Sequence, residues 1–208
     1  MKVISTNIGE SVEINYHGKV ENTGMYKYPV EEAIFLGKED VVNDAVIDRR
    51  YHGGADKACY WYSEKHYDFW KEKFPDLDWD LGMFGENLSI SNLDEGEIKI
   101  GDVYQIGATK VQVTQPRQPC YKLNHRFDCN TMVKQFIDAE FPGVYIRVIE
   151  EGEIKKGDEL ILLQRREESL SLREIYQLLY VANKDSVKLN KALSDPALAE
   201  SCKRDLQK

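Results

Sequence analysis

The chain has 208 residues, with 42 % in the hydrophobic set and 14 glycines, which is near the globular average and excludes a disordered or fibrous chain. Lysine and arginine number 28 against 36 aspartates and glutamates, so the net charge is −8. This argues against a nucleic-acid polymer as partner but leaves room for a local basic pocket. No apolar stretch approaches the ~18 residues needed to span a bilayer. The opening MKVISTNIGESVEINYHGK has polar residues where a signal peptide needs an apolar run, so a cytoplasmic chain without a membrane partner is expected.

In chain order, Lys2–Asn7 and Ser11–Asn15 alternate apolar and polar residues and read as half-buried strands, with a further strand at Val30–Leu36. Ser63 is placed to cap a helix, with Glu64 in its first turn; His66, Phe69, Trp70 and Phe74 follow at helical spacing and Pro75 ends it. Strands are expected at Asn87–Ile90, Val103–Ile106 and Lys110–Gln115, helices at Tyr121–Phe127 and Thr131–Phe141, and the last strands at Val144–Glu150 and Glu159–Leu163. Two turns share one form, Glu97-Ile98-Lys99-Ile100-Gly101-Asp102 and Glu153-Ile154-Lys155-Lys156-Gly157-Asp158, each before an apolar strand, as suits a closed or nearly closed barrel. After Gln164 the composition changes. Ser171 and Glu174 form a capping box ahead of the stripe Leu172, Ile175, Leu178 and Leu179. Asp185 caps a helix over Val187–Leu193, and Asp195-Pro196 reads as the start of another. The expected organisation is a barrel over residues 1–164 and a three-helix appendage over 165–208, packed on the barrel, on a second copy or on a partner.

Three segments join unusual backbone residues to reactive side chains. In Tyr51-His52-Gly53-Gly54-Ala55-Asp56-Lys57-Ala58-Cys59, paired glycines allow a ligand close to the backbone, and His52 and Lys57 could neutralise an anion; the other reading is a tight turn before a strand. In Phe84-Gly85-Glu86-Asn87-Leu88, Glu86 and Asn87 either face a polar heterocycle or cap their own loop. In Gln115-Pro116-Arg117-Gln118-Pro119-Cys120-Tyr121-Lys122-Leu123, two prolines fix a path that ends in a cysteine between two cations. Nearby cations favour the thiolate, a nucleophile and a soft-metal ligand; the alternative is a buried, inert cysteine at a helix start. Cys59 sits in an aromatic run and reads as core, Cys129 lies beside Asp128, and Cys202 is in the last helix. No pair has CxxC spacing, so neither a zinc ribbon nor a redox pair is suggested. His17 and His125 read as surface or turn residues and His66 as packing.

Together these segments resemble the MOSC domain family, named for the C-terminal domain of molybdenum cofactor sulfurase, and most of all its stand-alone bacterial YiiM-like branch. Asn22–Val30 is similar to the family's TGIxKxPV segment, Asp40–Asp44 to GLxGD, and His52–Ala58 to HGGPDRA. His66-Tyr67 with Trp70 is similar to EHYxxW, Gly85–Leu88 to GENL, and Pro116–Leu123 to PRxPCYKL. Ala55 stands for a proline and Lys57 for an arginine, while Asp40 and Asn43 replace the glycines of GLxGD. Asn43 suits a left-handed position, which Asp40 suits less well.

The resemblance implies a mainly β (α+β) fold, a largely antiparallel β-barrel with peripheral helices, binding a molybdenum–pterin cofactor. It makes Cys120 the molybdenum ligand, the reading that the cation setting also favours. The cofactor's phosphate needs a positive pocket, for which Lys27, His52, Lys57, Arg117 and Lys122 are the candidates, with Gly53, Gly54, Glu86 and Asn87 close to the pterin or substrate. Arg49 and Arg50 read rather as solvated charges. The implied activity is reduction of N-hydroxylated purine bases and related hydroxylamines to amines, with His52 or Asp56 relaying a proton. The chain has neither a GxGxxG after a strand nor a ferredoxin-like cysteine run, so electrons would come from a separate protein. The alternative is a non-catalytic carrier of the cofactor, or of sulfur as a Cys120 persulfide; a zinc site and pyridoxal phosphate chemistry rank below both. A homodimer is compatible with the sequence.

Overall fold

Short runs with alternating burial, such as Ile34–Leu36 and Gly152–Ile154, form strands. The structure, a computed structural model, describes residues 1–49 and 52–208. Its strands are β1 (Val3–Gly9), β2 (Val12–Tyr16), β3 (Lys19–Thr23), β4 (Lys27–Val30), β5 (Ile34–Leu36), β6 (Cys59–Ser63), β7 (Leu88–Ile90), β8 (Val103–Ile106), β9 (Thr109–Pro116), β10 (Val144–Glu150), β11 (Gly152–Ile154) and β12 (Leu160–Gln164). The helices are α1 (Lys65–Lys73), α2 (Lys122–Arg126), α3 (Met132–Ala139), α4 (Leu172–Tyr180), α5 (Ser186–Ser194) and α6 (Glu200–Leu206), with a short 3-10 turn at Ala55–Lys57.

The main sheet runs β12-β8-β9-β10-β6-β7-β1-β4, with separate ribbons β11-β5 and β2-β3. Its pairs are antiparallel except β6 with β7, which α1 connects. The ladder is open, but its ends curl together: Val3 N donates to Asp158 O (2.9 Å), Gly157 N to Val3 O (2.8 Å) and Leu160 N to Met1 O (3.1 Å). The two Gly-Asp turns are copies in structure as well as sequence. Asp102 Oδ2 accepts from Lys99 N (3.0 Å) and Asp158 Oδ2 from Lys155 N (2.9 Å), and the strands that follow them, β8 and β12, pair with one another.

Some expected elements shift. Val30–Leu36 is two strands, broken at the exposed Glu31 and Glu32. Pro29 is tolerated because β4 is the sheet's edge. All five residues of β6 are buried, so it lacks the alternation that would reveal it. Ser63 ends β6 and its hydroxyl donates to Leu93 O (3.0 Å), so it caps nothing. The Ser171–Glu174 box and the Asp185 cap form as expected. Asp195, in contrast, closes α5, accepting from Ala197 N (2.9 Å) and Ser169 Oγ (2.6 Å), and α6 begins only at Glu200.

Two apolar clusters result. In the larger, Leu172, Ile175, Ala192, Leu198, Cys202 and Leu206 of the C-terminal segment join Trp61, Val113 and Ile146 of the sheet, so the last three helices pack on the sheet. The smaller is aromatic, with Tyr60, Tyr62, Tyr67, Trp70, Phe84, Phe127 and Phe136. Stacked and edge-on rings join α1 to α3, as with Trp70 and Phe136 at 6.1 Å.

Candidate functional site

Where the two clusters meet, a cleft of about 670 Å³, including its mouth, opens to solvent. It brings together Lys27, His52, Gly53, Lys57, Asn87, Arg117, Cys120 and Lys122 from segments far apart in the chain. Met25, Tyr60, Tyr145 and the loop Asp44–Asp48 also line it; sequence reasoning did not single these out.

One wall continues β9. Pro116 ends that strand, Arg117 follows, and Cys120 stands two residues before α2, where its carbonyl accepts from Leu123 N (2.9 Å). Cys120 is a free, half-buried thiol. Arg117 is buried, 5 % exposed, with its guanidinium over the rings of Tyr60 (5.0 Å) and Phe136 (5.5 Å). Its Nη1 is sealed from solvent and has no hydrogen-bond partner among the described residues. A buried cation with an unspent donor is costly, and such groups concentrate where a ligand completes them. Helix α6 braces this wall: Asp205 Oδ2 accepts from Gln118 Nε2 (2.9 Å), and Ser201 Oγ donates to Gln115 Oε1 (3.0 Å).

Another part of the lining is Gly53, next to Gly54 in the chain. Gly53 and Gly54 have φ of 72° and 79°, values that side chains disfavour. Burial, followed by the charges of Arg117, Lys57 and Lys122, lowers the His52 pKa to about 4, with Asp48 opposing. His52 is therefore neutral at pH 7, which corrects the expectation that it supplies positive charge. Burial also draws Lys57 below the usual lysine range, partly offset by Asp205. Lys122 Nζ reaches Asn22 O at 3.4 Å.

Four expected site residues, Lys27, Glu86, Asp56 and Gly54, are placed differently. Lys27 is buried in an ion pair with Asp44, both of whose oxygens it engages. Asp44 also accepts from Gly9 N (2.9 Å) and Asn87 Nδ2 (2.9 Å), so the charge of Lys27 is compensated before any anion arrives. Asp44 was legible only as a carboxylate after Asn43, whose φ of 67° is the left-handed geometry expected there. Glu86 does not line the cleft. It is fully buried and accepts from Gly82 N (3.0 Å), Phe84 N (3.1 Å), Ser89 Oγ (2.9 Å) and the Tyr67 hydroxyl. Asp56 also lies outside the lining: Arg147 holds it at 3.0 Å (Nε) and 2.6 Å (Nη2), which ties the 3-10 turn to β10. Gly54 is adjacent to the lining but not part of it. Arg49 pairs at the surface with Asp40 and Glu39, and Arg50, like Tyr51, lies outside the described residues.

Cys59 and Cys202 are buried, and burial pushes both thiols up, away from thiolate character. His66 meets both oxygens of the buried Glu95 at 3.1 Å and stacks on Phe141. Among the described residues no three His, Cys, Asp or Glu side chains converge to hold a metal ion, and no helix is long and apolar enough to cross a membrane. A metal held in this cleft would take one thiolate from the chain and bring its other ligands with it. One thiol, one unspent guanidinium donor and further cations fit such a group with an anionic tail.

Comparison with known proteins places the chain in a family. The MOSC domain model matches residues 48–161, which hold the glycine pair, Arg117 and Cys120. The uncharacterized protein YflK of Bacillus subtilis is 37 % identical over 99 % of this chain and 93 % of its own length. The crystal structure of YiiM from Geobacillus stearothermophilus superposes with a TM-score of 0.83 at 30 % identity, covering 99 % of this chain and 97 % of that one. A protein of Gibberella moniliformis named a reductase is 32 % identical over 77 % of this chain, which spans only 29 % of that protein. The chain belongs to the MOSC domain family.

Proposed function

We propose that the cleft holds a molybdenum–pterin cofactor with Cys120 as the metal's thiolate ligand, and that the protein reduces N-hydroxylated purine bases and related hydroxylamines to amines. The observation that carries this reading is the pairing in one cleft of a free thiol with the buried, unspent Nη1 of Arg117. When bound, the cofactor supplies two-electron chemistry at the N–O bond. The overall change is R–NH–OH plus two electrons and two protons to R–NH2 and water: the N–O bond breaks, and its oxygen leaves as water.

The chain's residues then have separable tasks. Arg117, with Lys122, neutralises the anionic part of the cofactor, and Gly53 lets the backbone approach it. Neutral His52 offers a hydrogen-bonding nitrogen at pH 7 and is a poor proton donor there. Lys57, drawn down by burial, is the readier acid for the leaving oxygen. Asp56 acts through Arg147, by holding the turn that carries Lys57.

Electrons come from a separate protein. The acidic surface suits a basic patch on that donor.

The test is molybdenum content after purification from a host that makes the cofactor, beside Cys120→Ala. Near-stoichiometric metal that is lost in the variant is expected, with reduction of hydroxylamines once an electron donor is added. No metal in either protein, with the host's other molybdoenzymes active, overturns the reading. Metal without turnover transfers it to a cofactor carrier.

A further inference from the structure

The loop between Asp44 and Asp48 is clamped at both ends. Asp44 is held by Lys27, Asn87 and Gly9, and Ala45 N donates to Gly9 O (2.9 Å). At the far end Asp48 O accepts from His52 N (2.9 Å). Between the clamps the loop presses on two glycines. A Cβ on Gly24 would fall 1.7 Å from Ala45 O, and one on Gly53 would fall 2.9 Å from Val46 Cγ1. A loop so held has little freedom to fold its own side chains away. Yet Ile47, which lines the cleft, remains 44 % exposed, with Met25, Val46, Ala58, Tyr60 and Tyr145 among the other apolar parts of the lining. Water against a fixed apolar side chain inside a cleft is the arrangement that a ligand's apolar face relieves.

We infer that Ile47 is a specificity-determining residue: its side chain covers the flat face of a heteroaromatic N-hydroxy compound, so the cleft favours purine-sized substrates over hydroxylamine itself. The inference rests on reading this cleft as the N-hydroxyl reductase site. Hydroxylamine has no apolar face to cover Ile47, whereas a fused heterocycle has two. The polar edge of such a ring remains free for the cleft's donors.

The test pairs Ile47→Ser with Val42→Ser, a control at a residue equally exposed (44 %) but outside the cleft lining. Binding of 6-hydroxylaminopurine is measured by calorimetry on protein from a cofactor-making host, and kcat/KM is measured for that compound and for hydroxylamine with an added electron donor. Ile47→Ser is expected to weaken purine binding and kcat/KM about tenfold, with hydroxylamine within about twofold of the parent protein. Ile47→Leu should retain binding, and Val42→Ser should change neither quantity. Purine binding unchanged in Ile47→Ser, equal losses for both compounds, or no purine binding by the parent protein overturns the inference. Purine binding that depends on Ile47 without any reduction leaves the inference standing and removes the reductase reading instead.

Discussion

Two buried polar regions lie a few residues apart and behave differently. Around Glu86, one carboxylate meets four donors, all neutral and all from the chain itself. In the cleft, by contrast, Arg117 keeps an unspent nitrogen and His52 is held neutral by burial and neighbouring cations. A polar cluster that satisfies itself specifies a fold and has nothing left for a ligand. An unsatisfied cluster costs stability and is retained for what it binds. The residues Glu86 and Asn87 adjoin in sequence, yet Glu86 belongs to the first kind, while Asn87 faces the second through Asp44.

The largest effect should come from breaking the boundary between the two regions. Lys27 and Asp44 form a buried ion pair, with side chains 7 % and 4 % exposed. Lys27→Met leaves Asp44 with two neutral donors and no counter-charge. Urea unfolding should show a loss of about 3–5 kcal/mol, most of which a Lys27→Met/Asp44→Leu double variant should recover. A loss below about 1 kcal/mol would mean that the neutral donors suffice for Asp44 and that the two regions do not differ in their need for a counter-charge.

Next is the pH dependence of the cleft. His52 has a folded pKa of about 4 against an unfolded value of 6.5. Above pH 6.5 both states are neutral, and the residue contributes nothing to pH dependence. Between pH 6.5 and 4 the unfolded chain takes up a proton that the folded chain refuses, so stability falls as pH falls. The full loss is about 3 kcal/mol and should be absent in His52→Gln. Added phosphate, which opposes the cations around His52, should make the decline shallower in the parent protein. An equal slope in His52→Gln would place the titration elsewhere.

Much of this was legible in the sequence, for identifiable reasons. The Ser171–Glu174 box, the Asp185 cap and the repeated Gly-Asp turns were readable because their partners lie within three residues. The cleft segments were readable because they combine glycines, prolines and reactive groups. Long-range pairing was not readable. Nothing local says that Lys27 is spent on Asp44, that Asp56 is spent on Arg147, or that Ser63 closes a strand by bonding Leu93. Strand β6 was hidden because burial on both faces erases alternation, and α6 began late because Asp195 is engaged from Ser169 and Arg166, outside its own segment.

The smallest effect should come from Glu86→Gln, and it tests the self-satisfied side of the comparison most directly. The replacement keeps shape and volume and removes the charge. Oε1 takes Tyr67, Gly82 N and Ser89, whereas Oε2 takes only Phe84 N. A glutamine with its oxygen in the first position therefore keeps three donors and sets its amide against one N–H that cannot turn away. Leaving Phe84 N unpaired costs about 1–3 kcal/mol, and relief of a buried negative charge offsets part of it, so unfolding should show a loss of about 1 kcal/mol. Burial already pushes the Glu86 carboxyl up, against its donors, which makes the neutral replacement cheaper. Because no atom of Glu86 lines the cleft, the alkylation rate of Cys120 and the molybdenum content should match those of the parent protein. A variant that kept its stability but lost metal would show that the carboxylate's charge reaches the cleft, and the two regions would then have to be treated as one.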